Sequence, residues 1–171
     1  MAAIPSGLMN VACPERSRRN ANDRVATDVY DNNGNTINNG GIGNVYDFEN
    51  HLVQHGDVTI VYDGDGNRVS ETVASVTTNY LVAAVNPTGY AQVIDEVQGT
   101  ISVRSYTYGL ERINQKHLVR VGITNVFVPN YYGYDGHGSV RFLTDATRAI
   151  TDAYDYDAFG ILIPSTRTTP K

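Results

Sequence analysis

Short runs in which hydrophobic and polar residues alternate recur through most of the chain, and they end in clusters of Asn, Asp and Gly. The clearest run is Val58–Tyr62, which is followed by the turn residues Asp63–Asn67 and a second apolar run, Val69–Val73. Alternation with a period of two is typical of β-strands, and Asn and Gly tolerate the positive φ angles of tight turns. The pattern therefore predicts antiparallel hairpins.

The same alternation predicts further strands along the chain. They are Val25–Tyr30, Val45–Tyr46, Thr77–Val85, Tyr90–Val97, Ile101–Tyr108, His117–Val128, Val140–Leu143, Ala149–Tyr156 and Phe159–Ile163. The apolar spacing of Tyr90–Val97 also fits a short helix, but the strand that follows it favours a hairpin. Asn130–Gly138 is rich in Tyr and Gly and is expected to form a corner. No segment combines a helical period with helix caps, so we expect an all-β fold of roughly 10–13 short strands.

A Tyr-Asp pair opens several of the expected turns. The pairs, with the turn glycine where there is one, are Tyr30, Asp31 and Gly34; Tyr46 and Asp47; Tyr62, Asp63 and Gly66; Tyr134, Asp135 and Gly138; and Tyr156, Asp157 and Gly160. The first three pairs recur every 16 residues, which is the length of two short strands and two turns. Equivalent Tyr rings should then share one face of the sheet, and each Asp should accept hydrogen bonds from turn amides.

Composition supports a sheet and excludes some functions. The chain has 12 Tyr, 4 Phe and no Trp, and Tyr suits half-exposed sheet faces. A net charge of −5 disfavours nucleic acid as a partner, because phosphate binding needs a basic surface. Cys13 is the only cysteine, so no internal disulfide can form. No apolar run approaches the ~20 residues of a membrane span, and the first residues lack the basic region of a signal peptide.

The 171 residues are expected to form one folded domain with two unstructured ends. Residues 1–24 are polar and basic without strand alternation, so we expect a flexible leader that is not part of the native fold. Residues 25–163 carry the strand pattern and should form the β domain. Residues 164–171 should form a disordered tail.

The Tyr-Asp motif places the chain near a known family. Tyr-Asp, two residues, Gly, then Asn or Arg and an aliphatic residue is the pattern of the YD (tyrosine-aspartate) repeat. Tyr131–Leu162 closely resembles the start of the RHS repeat-associated core domain, and Asn86–Val97 and Tyr106–Ile113 resemble the stretch that precedes this core in bacterial RHS proteins. The resemblance spans Val25–Ile163.

This resemblance implies an antiparallel hairpin meander that forms a curved YD-repeat strip, part of a hollow RHS shell. In the family, the shell encloses a C-terminal toxin or effector, so it implies secretion or display at the cell surface. The implied partners are the remainder of the shell and its effector. Teneurins use related shells for adhesion, so the alternative is a module that binds glycans or a partner protein.

The resemblance implies a structural role rather than an enzyme. Some RHS cores cleave their own chain with acids in a DPxG-containing stretch downstream of the position that matches Phe159-Gly160. This sequence stops at Lys171, before that stretch, so no catalytic residue is carried over. A remnant of a self-cleaving core is the least favoured alternative.

Arg148 stands where the family's turn usually has Gly, and a positive φ there would cost about 1 kcal/mol.

One short motif is similar to the start of a calcium loop. Asp63-x-Asp65-x-Asn67 begins like an EF-hand, but Arg68 and Ala74 stand where that loop needs Gly and Glu. We expect a hairpin turn here.

The histidines also fit turns better than chemistry. His51 and His55 have the spacing of a helical metal site, but Gly56 and the flanking strands exclude a helix. His137 and Ser139, with Asp135 and Asp145 nearby, have the residue types of a hydrolytic triad, but they do not form a nucleophile elbow and fit a turn instead. We therefore expect no metal site, no cofactor and no catalytic residue.

The edges of such a strip have a consequence for the isolated chain. About a dozen strands are too few to close a shell, so the backbone groups of the edge strands stay open for pairing. We expect the isolated chain to self-associate or to be poorly soluble.

Overall fold

The computed structural model describes residues 19–163, which fold into strands joined by turns and contain no helix. The chain divides into two compact units, one ending at Asp57 and the other beginning at Val58. Within each unit the strands follow one another in antiparallel meander order, which confirms the predicted all-β class. The described part of the chain has no helix long and apolar enough to cross a membrane.

The expected leader, residues 1–24, and tail, residues 164–171, lie largely outside the described residues. Residues 19–24 are described, and they form a turn. Asn20 Oδ1 accepts the backbone N–H groups of Asn22 and Arg24, and Arg19 forms an isolated antiparallel bridge with Val25. The boundaries of the leader and of the tail remain predictions.

The first unit contains four strands, each paired with the next. They are β1 (Val29–Tyr30), β2 (Thr36–Asn39), β3 (Ile42–Tyr46) and β4 (Leu52–His55). The interval from Tyr30 to Tyr46 thus holds two strands and two turns, as the repeat length predicts. The strand expected over Val25–Tyr30 is wrong for its first half, because the N–H of Asp28 bonds the carbonyl of Val25 and closes a turn there.

The second unit contains a linear ladder of nine strands and a small separate hairpin. The ladder strands are β5 (Val58–Tyr62), β6 (Arg68–Val73), β7 (Val76–Ala83), β8 (Gln92–Gln98), β9 (Ile101–Tyr108), β10 (Arg112–Val121), β11 (Thr124–Tyr134), β12 (Val140–Thr144) and β13 (Ile150–Ala153). The hairpin pairs β14 (Asp155–Tyr156) with β15 (Leu162–Ile163).

The last two expected strands are shorter than predicted. The run Ala149–Tyr156 is not one strand, because it is interrupted at Tyr154: β13 pairs with β12, whereas β14 pairs with β15. The strand expected over Phe159–Ile163 is wrong for its first part, because the N–H of Gly160 bonds the carbonyl of Asp157 and closes a turn there.

Two further expectations for this unit are corrected. The run His117–Val128 is not one strand, because Gly122 adopts a φ of 62° and the chain reverses there. Asn130–Gly138 is not wholly a corner, because its first half continues β11 to Tyr134 and pairs with β12. The strand expected at Tyr90–Val97, which also fitted a helix, is confirmed as β8.

A one-residue bulge follows the turn in each hairpin that begins with a Tyr-Asp pair, except in the small hairpin β14–β15. In the β5–β6 hairpin, Tyr62 pairs with Arg68 but Val61 pairs with Ser70, so Val69 is an extra residue. The same register shift occurs at Tyr30, Tyr46, Tyr134 and Thr144. A bulge increases the local right-handed twist of a sheet, so each of these hairpins bends its ladder in the same way.

The buried interior of the second unit is small and mostly polar. Leu143 is the one buried hydrophobic residue in the described part of the chain, with 3% of its surface exposed. The other buried side chains there are Gln115, His117, Asn130 and Asp152. A single sheet cannot bury both faces, so strand pairing and polar contacts carry much of the folding free energy.

Candidate functional site

Six turns share one hydrogen-bond arrangement, in which an Asp at the strand end closes the turn. At Asp63, Oδ1 accepts the backbone N–H groups of Asp65 at 3.0 Å and Asn67 at 2.9 Å. The N–H of Gly66 also donates to the Asp63 carbonyl. The same double contact to residues i+2 and i+4 is made by Asp47, Asp135, Asp145 and Asp157, and Asp31 Oδ1 accepts the N–H of Asn35. These are the contacts that the sequence predicts.

The residue three positions after each Asp adopts a positive φ. It is glycine in four turns, Gly34, Gly66, Gly138 and Gly160, with φ between 78° and 92°. In the other two turns it is Asn50, with φ 64°, and Arg148, with φ 73°. Asn adopts this conformation readily, whereas for Arg it costs about 1 kcal/mol.

We expect Arg148→Gly to raise the free energy of unfolding by up to about 1 kcal/mol, because glycine removes the strain of the positive φ. The reciprocal variant Gly138→Ala has φ 83° and only an ordinary 3.7 Å contact to Glu111, so it should lose about 1–2 kcal/mol. Urea denaturation followed by circular dichroism measures both. Equal stabilities of the parent protein and Arg148→Gly would show that the turn is not strained.

Hydrogen bonding stabilises the charged form of these carboxylates. The hydrogen bond from the backbone N–H of Asn67 is the largest cause that lowers the pKa of Asp63. The backbone N–H of Ser139 has the same effect on the pKa of Asp135. The side chains of Asp63 and Asp135 are therefore charged at neutral pH, and their Oδ1 atoms are engaged by the turn amides. They serve to close turns.

Tyrosine rings share one face of the second unit. The strand register places Tyr106 opposite Gln115, and Tyr108 opposite Arg112. Gln115 lies in turn opposite Asn130, two residues before Tyr132 on β11. Residues directly opposite one another on paired strands point to the same face, so these rings lie together.

Five tyrosines of the second unit donate a hydrogen bond from the hydroxyl group. Tyr80 donates to Glu71 Oε2 at 2.8 Å, Tyr106 donates to Glu96, Tyr108 donates to the Val93 carbonyl at 2.9 Å, Tyr132 donates to Gln115 Oε1 at 2.7 Å, and Tyr134 donates to the Arg112 carbonyl at 2.7 Å. Burial and the bond to Glu71 raise the pKa of Tyr80 to about 12. The tyrosine rings of this face are therefore linked to neighbouring polar groups by hydrogen bonds.

Arg112 lies at the centre of the ring cluster. Its Cζ is 4.6 Å from the ring centroid of Tyr106, 5.4 Å from that of Tyr108 and 5.5 Å from that of Tyr132, all within the range of cation–π attraction. Its Nε donates to Tyr108 Oη at 3.2 Å. Burial opposes the charge, but the interactions with Tyr132 and Tyr108 together outweigh it, and the pKa of Arg112 is raised. Our sequence reasoning missed this residue.

A buried polar cluster lies further along the same face, around His117. Burial and the charge of Arg104 lower the pKa of His117, although Asn130 and Asp152 act in the opposite direction. The imidazole is therefore neutral near pH 7. Asn130 Nδ2 donates to Thr151 Oγ1 at 3.2 Å and links this cluster to β13.

We expect the protein to lose stability as the pH falls below the ordinary histidine pKa of 6.5. The folded-state pKa of His117 is lowered, so the unfolded chain binds a proton that the folded chain does not. Tm measured from about pH 7.5 to pH 5 should fall, and His117→Gln should flatten that slope. Exposed His55, with Nδ1 2.7 Å from Asn44 Oδ1, provides the control His55→Gln, which should keep it. An unchanged slope in His117→Gln would contradict the assignment.

The structure brings the predicted histidines into turns and strands. His51 and His55 have separate partners, since His51 Nδ1 lies 3.1 Å from Asp47 Oδ2 and His55 Nδ1 lies 2.7 Å from Asn44 Oδ1. The possible ligand atoms of Asp47, Glu49 and His51 do lie within 4.8 Å of one another, a cluster that the sequence reasoning did not single out. It follows from the i, i+2 and i+4 positions of the Asp-closed turn.

The residues considered for a hydrolytic triad are held by backbone contacts. Asp135 Oδ1 accepts the backbone N–H groups of His137 and Ser139 at 2.9 and 3.0 Å. These contacts belong to the same turn arrangement as at Asp63.

The fold and its repeated turns define an all-β protein built from equivalent antiparallel hairpins. Comparison with known proteins adds no family to this architecture: no protein-family model matches the sequence, and no curated protein matches it.

Proposed function

We propose that this chain is a non-catalytic wall segment of an RHS-type YD-repeat shell that, in the intact protein, encloses or presents a C-terminal effector. The observation that carries the proposal is the recurrence of one Asp-closed turn in six hairpins. The resemblance of Tyr131–Leu162 to the RHS core supports the same assignment. Secretion or display at the cell surface belongs to this proposal.

The proposed mechanism is mechanical. Each hairpin joins the preceding strand through main-chain hydrogen bonds, so a wall can grow by adding equivalent units along the chain. The bulge next to the turn gives these units a similar twist. Repeated twist of one hand curves a sheet, and a curved wall can separate a cargo from its surroundings.

The edge of the wall segment tests this proposal. In the order of the described strands, β13 is the last strand of the ladder of the second unit, and we expect an edge strand to pair with another chain. We expect the purified protein to self-associate, and Ile150→Lys, at an exposed β13 position, to reduce that association because an edge lysine opposes strand pairing. Light scattering at several concentrations measures the effect.

The matched control is Ile123→Lys, which changes an isoleucine that is 98% exposed but lies in a turn between paired strands. It should leave self-association unchanged. A parent protein that stays a monodisperse monomer would contradict the open-edge account, and an equal effect of both lysines would indicate general hydrophobic association instead of edge pairing.

Adhesion is the second candidate function, and exposed apolar side chains in turns favour it. Val85 and Tyr90 lie between β7 and β8, Leu110 lies between β9 and β10, and they are 98%, 79% and 83% exposed. These turns lie at the same end of the antiparallel strands. Binding to a glycan array that is lost in Tyr90→Ala would favour adhesion, and no binding in the parent protein would count against it.

A further inference from the structure

Arg112 is a partly buried cation without a carboxylate partner. In the described part of the chain no acidic oxygen lies within 4.0 Å of its guanidinium nitrogens. Its Nε bonds Tyr108, and Nη1 makes a long 3.4 Å contact to Tyr132. A guanidinium has five N–H donors, so most of its capacity remains for another acceptor.

Arg112 lines an open groove of about 320 Å³ on the second unit. The groove is also lined by Gln92, Leu110, Glu111, Tyr132 and Tyr134. This volume lies at the lower end of the range for small-molecule sites, which are apolar with a few fixed polar groups. The tyrosine walls suit a flat apolar body, and Arg112 provides the one cation among the groove residues.

We propose that this groove binds a carboxylate attached to a small apolar or aromatic group, with Arg112 as the anchoring cation. A guanidinium recognises carboxylate through two parallel hydrogen bonds, and its charge strengthens both. The phenol hydroxyls of Tyr108 and Tyr132 already donate elsewhere, which leaves the arginine to provide the donors. This inference does not depend on the shell role proposed above.

The local charges favour a singly charged ligand. Glu111 is an exposed acid on the rim of the groove, and its charge contributes, after burial, to the raised pKa of Tyr134. Its field therefore reaches the groove and opposes anions. One arginine beside one glutamate suits a carboxylate better than a doubly charged phosphate, because one guanidinium neutralises only one of the two phosphate charges while Glu111 repels both.

The test is a titration of the full chain with benzoate at low ionic strength, followed by the NMR signal of the Arg112 Nε–H group. Benzoate should bind saturably, and neutral benzamide should not. Arg112→Gln should weaken benzoate binding at least about tenfold, and Arg112→Lys should weaken it less; for these variants binding is measured by calorimetry. Glu111→Gln should tighten it about twofold to tenfold, since it removes the opposing charge.

Arg120→Gln is the matched control, because Arg120 is an exposed arginine on the same strand that donates to the carbonyl of Gly122. It should leave affinity within about twofold of the parent protein. The carboxylate could belong to a peptide or to a small organic acid, and N-acetylphenylalanine, a peptide-like carboxylate, distinguishes the two. Tighter binding than benzoate assigns the site to a peptide, and weaker binding assigns it to a small organic acid.

Three results would overturn the proposal: no saturable benzoate binding by the parent protein, benzamide or inorganic phosphate binding as tightly as benzoate, or unchanged affinity in a folded Arg112→Gln variant. If that variant does not fold, Glu111→Gln tests the proposal instead, because Glu111 is exposed. A Glu111→Gln protein that binds benzoate no more tightly than the parent then contradicts the site.

Discussion

Replacing Leu143 with alanine is expected to lower the free energy of unfolding by about 2–5 kcal/mol. Leu143 is 3% exposed and lies on β12 between Tyr132 and Asp152, its partners on the two neighbouring strands. Removing its side chain leaves a cavity in an interior that contains little other apolar material. Urea denaturation followed by circular dichroism measures the change.

Leu110→Ala is the matched control, because Leu110 is 83% exposed and lies in a turn. Its free energy of unfolding should stay within about 0.5 kcal/mol of the parent value. A loss below about 1 kcal/mol in Leu143→Ala would mean that the second unit does not depend on this position for its core.

Adding one methyl group at Gly133 is expected to cost about 1–3 kcal/mol of folding free energy. Gly133 pairs directly with Phe142 across the β11–β12 ladder. A Cβ atom at Gly133 would lie 2.2 Å from Phe142 Cζ and 2.3 Å from Cε2, so the ring must move. Thermal and urea denaturation of Gly133→Ala measure the cost.

Two further variants isolate the cause. Gly136→Ala has no atom within 4 Å of the new Cβ, so it should be neutral or stabilise by about 0.4–1 kcal/mol. Adding Phe142→Ala to Gly133→Ala should cost less than the two single changes summed, because the collision is then absent. Additive costs would show that the ring does not oppose the added methyl group.

The sequence predicted those parts of the fold that are marked by local residue chemistry. Asn and Gly clusters identified most turns, and alternation identified most strands. Both signals are local, because the residues that carry each one lie close together in the sequence. The failures lie where the local signal is weak. One glycine, Gly122, reverses the chain inside an otherwise continuous alternation, and Tyr131–Tyr134 reads as a corner until β12 pairs with it.

The same distinction separates the predicted site residues from the missed ones. The role of Asp63 and its equivalents was predictable, because Oδ1 bonds amides only two and four residues away. Asp145 closes an identical turn without a preceding Tyr, so the motif alone misses it. Arg112 was not predictable, because rings from β9 and β11 meet over it only once the register of three strands is set.

Amide hydrogen exchange at the six Asp-closed turns tests the repeated hairpin most directly. The account predicts that the amide four residues after each Asp exchanges slowly, because the Asp carboxylate accepts its hydrogen bond; these amides belong to Asn35, His51, Asn67, Ser139, Ala149 and Ile161. The amide of Ile123, in a turn without an Asp, should exchange faster. Protection confined to one or two of the six turns would contradict a wall built from equivalent units.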